Sequence, residues 1–354
     1  MSDPVTVGGA FLSALVISAA ATPVAIGAAR RTGFYDHPAG YKKHGASTPY
    51  LGGIAVVAGF LLAAAIFGDG FDRFAALSLS AIGLLVVGTV DDRIGLGVTI
   101  RVLAQLAAAV VLWEAGFAWN VLDSQVADFA LTVVWVVGLT NAFNLFDNSD
   151  GAAGAIAAAS SLGVAGLALV QNDVALAALA IAIAGSCAGF LPYNLARPSR
   201  IFLGDGGSMP LGVLVAATIM ALPEGDLGWA ALPAYALLAA LPILDTTLVV
   251  FSRWRHGTGI LDGARDHLTH RLLQLLGSQR RVAAALAGLQ LAFGVVAIGL
   301  SQTTDAAVAV AVLATIVAGA YAIRVLEGPR WMPQARSRER ARSRRLLVGE
   351  EGSV

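Results

Sequence analysis

Four stretches of this sequence concentrate side chains able to do chemistry. Asp91-Asp92-Arg93 directly follows an apolar run. Residues 141–151 read Asn-Ala-Phe-Asn-Leu-Phe-Asp-Asn-Ser-Asp-Gly. Asn194 is followed by Phe202-Leu203-Gly204-Asp205-Gly206-Gly207-Ser208, and Asp262, Arg265, Asp266, His267, His270 and Arg271 crowd the fourth. One aspartate pair at a helix end is ordinary solvated surface. Carboxylates and amides gathered from three separate stretches suggest a hard-cation site. Magnesium takes oxygen ligands, keeps several waters and shares its shell with substrate phosphates. Nearby arginines, lysines and histidines supply donors for phosphate oxygens. Aspartates alone would repel a diphosphate, whereas aspartates with magnesium and basic flanks would hold one. That combination points to phosphoryl transfer. The glycines around Asp205 let backbone approach a ligand closely, just before a helix whose N-terminus favours anions. No Gly-x-x-x-x-Gly-Lys-Ser/Thr occurs, so this is not a P-loop.

These stretches must be positioned by membrane helices. Of 354 residues, 57% are hydrophobic and 13% charged, about half the charge of an ordinary soluble domain. Mean hydropathy is +0.75. Apolar runs fall at about 5–29, 49–68, 73–90, 100–117, 129–146, 152–171, 174–193, 207–223, 231–252, 282–300 and 306–326. They are too long and too uniformly apolar for outer-membrane strands, and backbone in lipid must bond to itself. The expectation is an all-α polytopic membrane protein with about eleven spans, the fifth being the weakest. Residues 1–326 then form one transmembrane domain and 327–354 a basic cytoplasmic tail resting on anionic headgroups. The single cysteine, Cys187, excludes an intrachain disulfide and any multi-cysteine metal site.

The connections alternate in charge. One set holds 22 of the 23 lysines and arginines, and the other holds only Arg73, among acids such as Asp72, Asp173, Glu224 and Asp305. Positive loops stay inside, which predicts an external N-terminus, a cytoplasmic C-terminus and an odd number of spans. The first run has no basic residue before it and is long for a signal peptide. All four chemical stretches lie on the basic side. Asp245 is different: it lies inside a span, where a carboxylate is costly and functional by default, although a structural hydrogen-bonding role fits it equally.

With these residues in hand, the chain resembles the polyprenyl-phosphate N-acetylhexosamine-1-phosphate transferases, the superfamily of WecA, TagO and MraY. Tyr35-Asp36-His37-Pro38, Lys43-His44 and Pro49-Tyr50-Leu51-Gly52-Gly53 are similar to its first cytoplasmic motif. Asp91-Asp92 matches its paired aspartates, and Asn141 to Gly151 its Asn-x-x-Asn-x-x-Asp-Gly-x-Asp-Gly motif. Asn194 and Ile201 to Ser208 match its Phe-x-Gly-Asp-x-Gly-Ser segment, and His267 to Leu272 its histidine motif. Asn148 departs from the usual glycine and Thr269 from a histidine. The missing triple histidine and the Pro49-to-Gly53 wording favour the WecA-like branch over the muramoyl-pentapeptide branch.

The resemblance implies transfer of N-acetylhexosamine 1-phosphate, with N-acetylglucosamine favoured, from a UDP-sugar to undecaprenyl or decaprenyl phosphate. UMP leaves, and the product feeds cell-envelope glycan synthesis at the bacterial cytoplasmic membrane. It makes Asp91, Asp92 and Asp147 catalytic and Asp205 and Asp147 ligands of magnesium, with manganese as a substitute. Asn144, Asp150, Asn194, His267, His270, Arg271, Lys43 and His44 become substrate contacts. Asp150 has a second reading as a helix cap, and Lys43 and His44 as a solvated positive loop. The lipid bilayer is a partner, nucleic acid is not, and a homodimer is compatible with the sequence. Two rivals are a muramoyl-pentapeptide phosphotransferase and a transporter. A transporter would bury ionisable groups near the midplane in broken helices, whereas here, Asp245 apart, the aspartates lie at loop ends on one face.

Overall fold

The computed structural model describes residues 3–36, 47–67, 71–223, 230–259, 266–328 and 331. In chain order the helices are α1 (Asp3–Thr32), α2 (Gly52–Phe67), α3 (Phe71–Ile94), α4 (Val98–Glu114), α5 (Gln125–Phe146), α6 (Ala152–Val170) and α7 (Val174–Asn194). They continue with α8 (Asp205–Met220), α9 (Ala231–Ala236), α10 (Ala240–His256), α11 (Leu268–Leu276), α12 (Gln279–Leu300) and α13 (Asp305–Leu326). Two short strands not expected from the sequence, β1 (Tyr35–Asp36) and β2 (Thr48–Pro49), pair antiparallel. Each of the eleven apolar runs lands on helix. The ninth is broken by a 3-10 turn, Leu237–Ala239, between α9 and α10. The weak fifth run becomes α5, started by Ser124, whose hydroxyl accepts from the Ala127 N–H.

Among the described residues, eight helices are long and apolar enough to cross a membrane, and α2 and α8 are shorter apolar helices. The protein is an all-α, multi-pass membrane protein. α8 is the axis of the fold: every residue from Gly206 to Met220 is buried. It packs on α3 and α5, while α7 packs on α1, α2 and α6, and α6 in turn on α12. Small residues make this possible. A Cβ on Gly185 would collide with the Phe11 carbonyl, and one on Gly189 with that of Leu15. This Gly-x-x-x-Gly face lets α1 and α7 touch backbone to backbone, the usual solution where lipid offers no hydrophobic drive for association. α13 is the opposite case. Only Val308 and Leu326 are buried, and Val310, Leu313, Ile316 and Val317 are exposed, as a helix solvated by acyl chains should be.

The chemical stretches extend the helices more than the sequence suggests. Asp91 and Asp92 close the last turn of α3, Asn141 to Phe146 belong to α5, and Asn194 ends α7. Asp205 opens α8, and His270 and Arg271 lie on α11. Helix continues past the apolar run because hydropathy marks lipid, not hydrogen bonding. Lys43 and His44 fall outside the described residues.

Candidate active site

The site is built where the end of α3 meets the start of α8. Asp92 accepts the Asp205 N–H at 3.0 Å and the Gly206 N–H at 3.1 Å. The cap residue of α8 is Gly204, at φ +73, with no side chain to do this itself. Asp92 therefore caps α8 from another helix, satisfying two orphan donors and placing negative charge at a positive helix end. The approach requires glycine. A Cβ on Gly204 would sit 2.5 Å from Asp92 Oδ2, and one on Gly88, a turn earlier in α3, would collide with the Asp205 carbonyl.

This capping leaves the Asp205 carboxylate next to Asp91 and Arg101. Arg101 Nη1 lies 3.0 Å from Asp91 Oδ2 and 3.4 Å from Asp205 Oδ2. Asp91 also accepts the Leu96 N–H, which closes the turn between α3 and α4. Arg101 is the site residue that sequence reading missed. It counted only toward the charge asymmetry, although an arginine near the start of an apolar run was itself a signal.

α5 delivers the other wall. Asp147 follows its last residue and accepts from the Gly204 N–H. Asn144, one turn back, donates to Ser208 Oγ at 3.1 Å and also bonds Asp205. Burial, and then the charges of Asp205, Asp92 and Asp150, hold the Asp147 carboxyl well above the usual carboxylate range. A group in that field gains from any cation that enters. Among the described residues no three His, Cys, Asp or Glu side chains form a ready metal cage. The donors gathered are oxygens, which suits a hard ion taking one or two carboxylates and completing its shell elsewhere.

The remaining expected contacts have other partners. Asn194 Oδ1 accepts the Gly151 N–H at 2.6 Å and its Nδ2 donates to the Ile201 carbonyl at 2.9 Å. It clamps the α5–α6 turn to the segment leading into α8. Arg271, expected at sugar or diphosphate, points into the protein: Nε donates to the Asp266 carbonyl, Nη1 to that of Leu326 and Nη2 to Glu327. A glutamate buried beyond α13 needs this countercharge. The N-cap residue of α6 is Gly151, at φ +77, one position after Asp150. Asn148 does not sit at positive φ, so the turn has no need of glycine there. Instead Asn148 donates to the Leu145 carbonyl at 2.7 Å and accepts from the Thr269 hydroxyl. The two departures from the family pattern thus touch each other, and they dock the start of α11 against the turn carrying Asp147. His267 and His270 lie there with ring centroids 6.0 Å apart.

Fold and site together define a multi-pass membrane protein that collects aspartates from several helix ends into one polar cluster. Residues 74–222, which hold the aspartates of α3, α5 and α8, match the family model described as glycosyl transferase family 4. The chain is 31% identical over 331 residues to the decaprenyl-phosphate N-acetylglucosaminephosphotransferase of Mycolicibacterium smegmatis, covering 82% of this chain and 80% of that one. It is 28% identical over 307 residues to the probable undecaprenyl-phosphate N-acetylglucosaminyl 1-phosphate transferase of Bacillus subtilis, covering 83% and 85%. With the undecaprenyl-phosphate alpha-N-acetylglucosaminyl 1-phosphate transferase of Escherichia coli K12 it shares 27% over 261 residues, covering 70% and 71%. The chain belongs to the polyprenyl-phosphate N-acetylhexosamine-1-phosphate transferases, on their WecA-like branch.

Proposed function

We propose that the protein transfers N-acetylglucosamine 1-phosphate from UDP-N-acetylglucosamine to a polyprenyl phosphate and releases UMP. The observation that carries this reading is the meeting of Asp205, Asp147 and the Asp92-capped end of α8 beside Arg101. The named activities of the relatives support it. A lipid phosphate oxygen attacks the phosphorus next to the sugar. The bond from that phosphorus to the UMP oxygen breaks, and the anomeric carbon keeps its oxygen. Both reactants are anions, so the chain's first task is to let them approach. Asp205 and Asp147 would hold magnesium, which when bound supplies charge neutralisation for the diphosphate. Arg101 sits where it can turn from Asp205 to a phosphate oxygen. Asp92 fixes the backbone that carries Asp205, and Asn144 orients the Asp205 carboxylate. A phosphate monoester has a second pKa of about 6 and is already largely dianionic near neutrality. Asp91 and Asp92 therefore position charge more than they abstract protons.

Purified protein with magnesium and polyprenyl phosphate is expected to use UDP-N-acetylglucosamine and to leave UDP-muramoyl-pentapeptide untouched. Thr269, which spends its hydroxyl on Asn148 where a histidine would stand in the other branch, motivates this. Preferential turnover of the pentapeptide nucleotide would reverse the assignment. We also propose eleven spans with the N-terminus outside and the C-terminus in the cytoplasm, on the charge asymmetry of the connections. A reporter fused after Val354 should read cytoplasmic and one at Asp226 external. An external C-terminus would move the aspartates away from the side where UDP-sugars are made.

A further inference from the structure

Asp245 lies in α10 and is fully buried. A carboxylate inside a span must have both oxygens satisfied. Here Oδ2 is 2.8 Å from His267 Nδ1 and Oδ1 accepts the Leu268 N–H at 2.6 Å. His267 is the N-cap residue of α11 but makes no side-chain cap bond, so Asp245 caps that helix from α10 and grips the ring of its cap residue. One turn-pair further along α10, Arg253 Nε and Nη2 hold the Asp266 carboxylate at 3.1 and 3.2 Å. Adjacent residues 266 and 267 are thus tied to a single rigid span by two charged contacts. Thr269 ties the same segment to Asn148, one residue from Asp147. Among the described residues, the charged and titratable groups placed around the ring are Asp245 from α10, the Asp266–Arg253 pair and His270 of α11. These contacts converge on the segment that carries the His267 imidazole, which Thr269 joins to the turn that carries Asp147.

We propose that Asp245 is a positioning residue for His267. A carboxylate offers only acceptors, so the Nδ1 facing it carries the proton. Nε2, at the far edge of the ring, is then the one nitrogen left to exchange hydrogen bonds or protons with substrate. A carboxylate behind a histidine fixes tautomer and ring orientation in this way at many sites. Asp245→Asn keeps the shape and reverses the logic. Its amide oxygen can retain the Leu268 N–H, but its NH2 donates to Nδ1 and drives the ring proton to Nε2. The inference rests on reading the His267 segment as facing the transferase substrates, and its test separates the two ideas.

Two measurements decide it, on the full chain in lipid nanodiscs. Nitrogen-15 spectra of labelled histidine, without substrate, should show His267 protonated at Nδ1, and in Asp245→Asn the proton should move to Nε2. A ring protonated at Nε2 alone in the unaltered chain overturns the proposal, whatever the variant does. In turnover, Asp245→Asn should lower kcat/KM by about ten- to a hundredfold, as loss of an orienting partner does at other histidine sites. In a His267→Ala background the same substitution should add less than about threefold, because residues acting as one unit are not additive. Asp245→Glu should recover part of the loss. An equal loss in both backgrounds would make Asp245 merely structural and overturn the proposal. A chain that turns over no UDP-sugar would refute the transferase reading, while the nitrogen spectra would still judge the dyad.

Discussion

Asp205→Asn is expected to lower turnover by roughly a thousandfold or more, since a carboxylate on a metal–diphosphate centre is worth several kcal/mol and each 1.36 kcal/mol is about tenfold. Folding should survive, because the bonds that position Asp205 are made by backbone. Its N–H and that of Gly206 go to Asp92, and its carbonyl packs on Gly88. Its side chain faces Asp91, Asp92 and Asp147, with Arg101 and Asn144 favouring its charge. Burial and the neighbouring carboxylates already disfavour that charge in the substrate-free protein, so an amide of the same shape costs little there. Thermal unfolding of Asp205→Asn should therefore match or exceed that of the parent while activity disappears, the trade expected of a site that stores strain for function. Asp92→Asn is the contrast. An amide has one oxygen for two N–H groups, so α8 loses part of its cap and both stability and activity should fall. Near-normal turnover of Asp205→Asn with unchanged magnesium dependence would remove Asp205 from the centre.

Much of this was legible in the sequence because membranes impose simple rules. Apolar runs mark where helices lie, while the orientation that the arginine distribution predicts is left to the reporter fusions. Motif order groups Asp91, Asp92, Asn144, Asp147 and Asp205, and in the fold they are neighbours. What stayed hidden is pairing between elements distant in sequence. Asp92 and the Asp205 N–H are 113 residues apart, and no local pattern says that one carboxylate caps another helix. Asn194 and Arg271 have the right types for ligand contacts, yet their polar groups are used internally, since a buried turn and a buried glutamate needed them more. Arg101 escaped notice for the opposite reason: an arginine near the start of an apolar helix reads as topology until Asp91 and Asp205 are seen on either side of it. Asp245 could be flagged by its cost in lipid, but its partners lie 22 and 23 residues on, across a connection of which residues 260–265 are outside the described chain.

We propose direct attack by one lipid anion on one nucleotide diphosphate among these aspartates. A metal held by Asp205 and Asp147 would neutralise the diphosphate and make a protein nucleophile unnecessary. A covalent route would require an aspartate with a base to activate it or a phosphorus within its reach. Asp92 is spent on two backbone N–H groups, and Asp91 on Arg101 and Leu96. Neither is free to attack without dismantling the end of α8 or the α3–α4 turn. The most direct measurement is UMP release by purified protein with magnesium and UDP-N-acetylglucosamine, followed with and without polyprenyl phosphate. Direct transfer predicts UMP in strict proportion to lipid product and, without lipid, neither a burst nor exchange of labelled UMP into the UDP-sugar. A lipid-independent burst stoichiometric with enzyme, abolished by Asp92→Asn or Asp205→Asn, would contradict it.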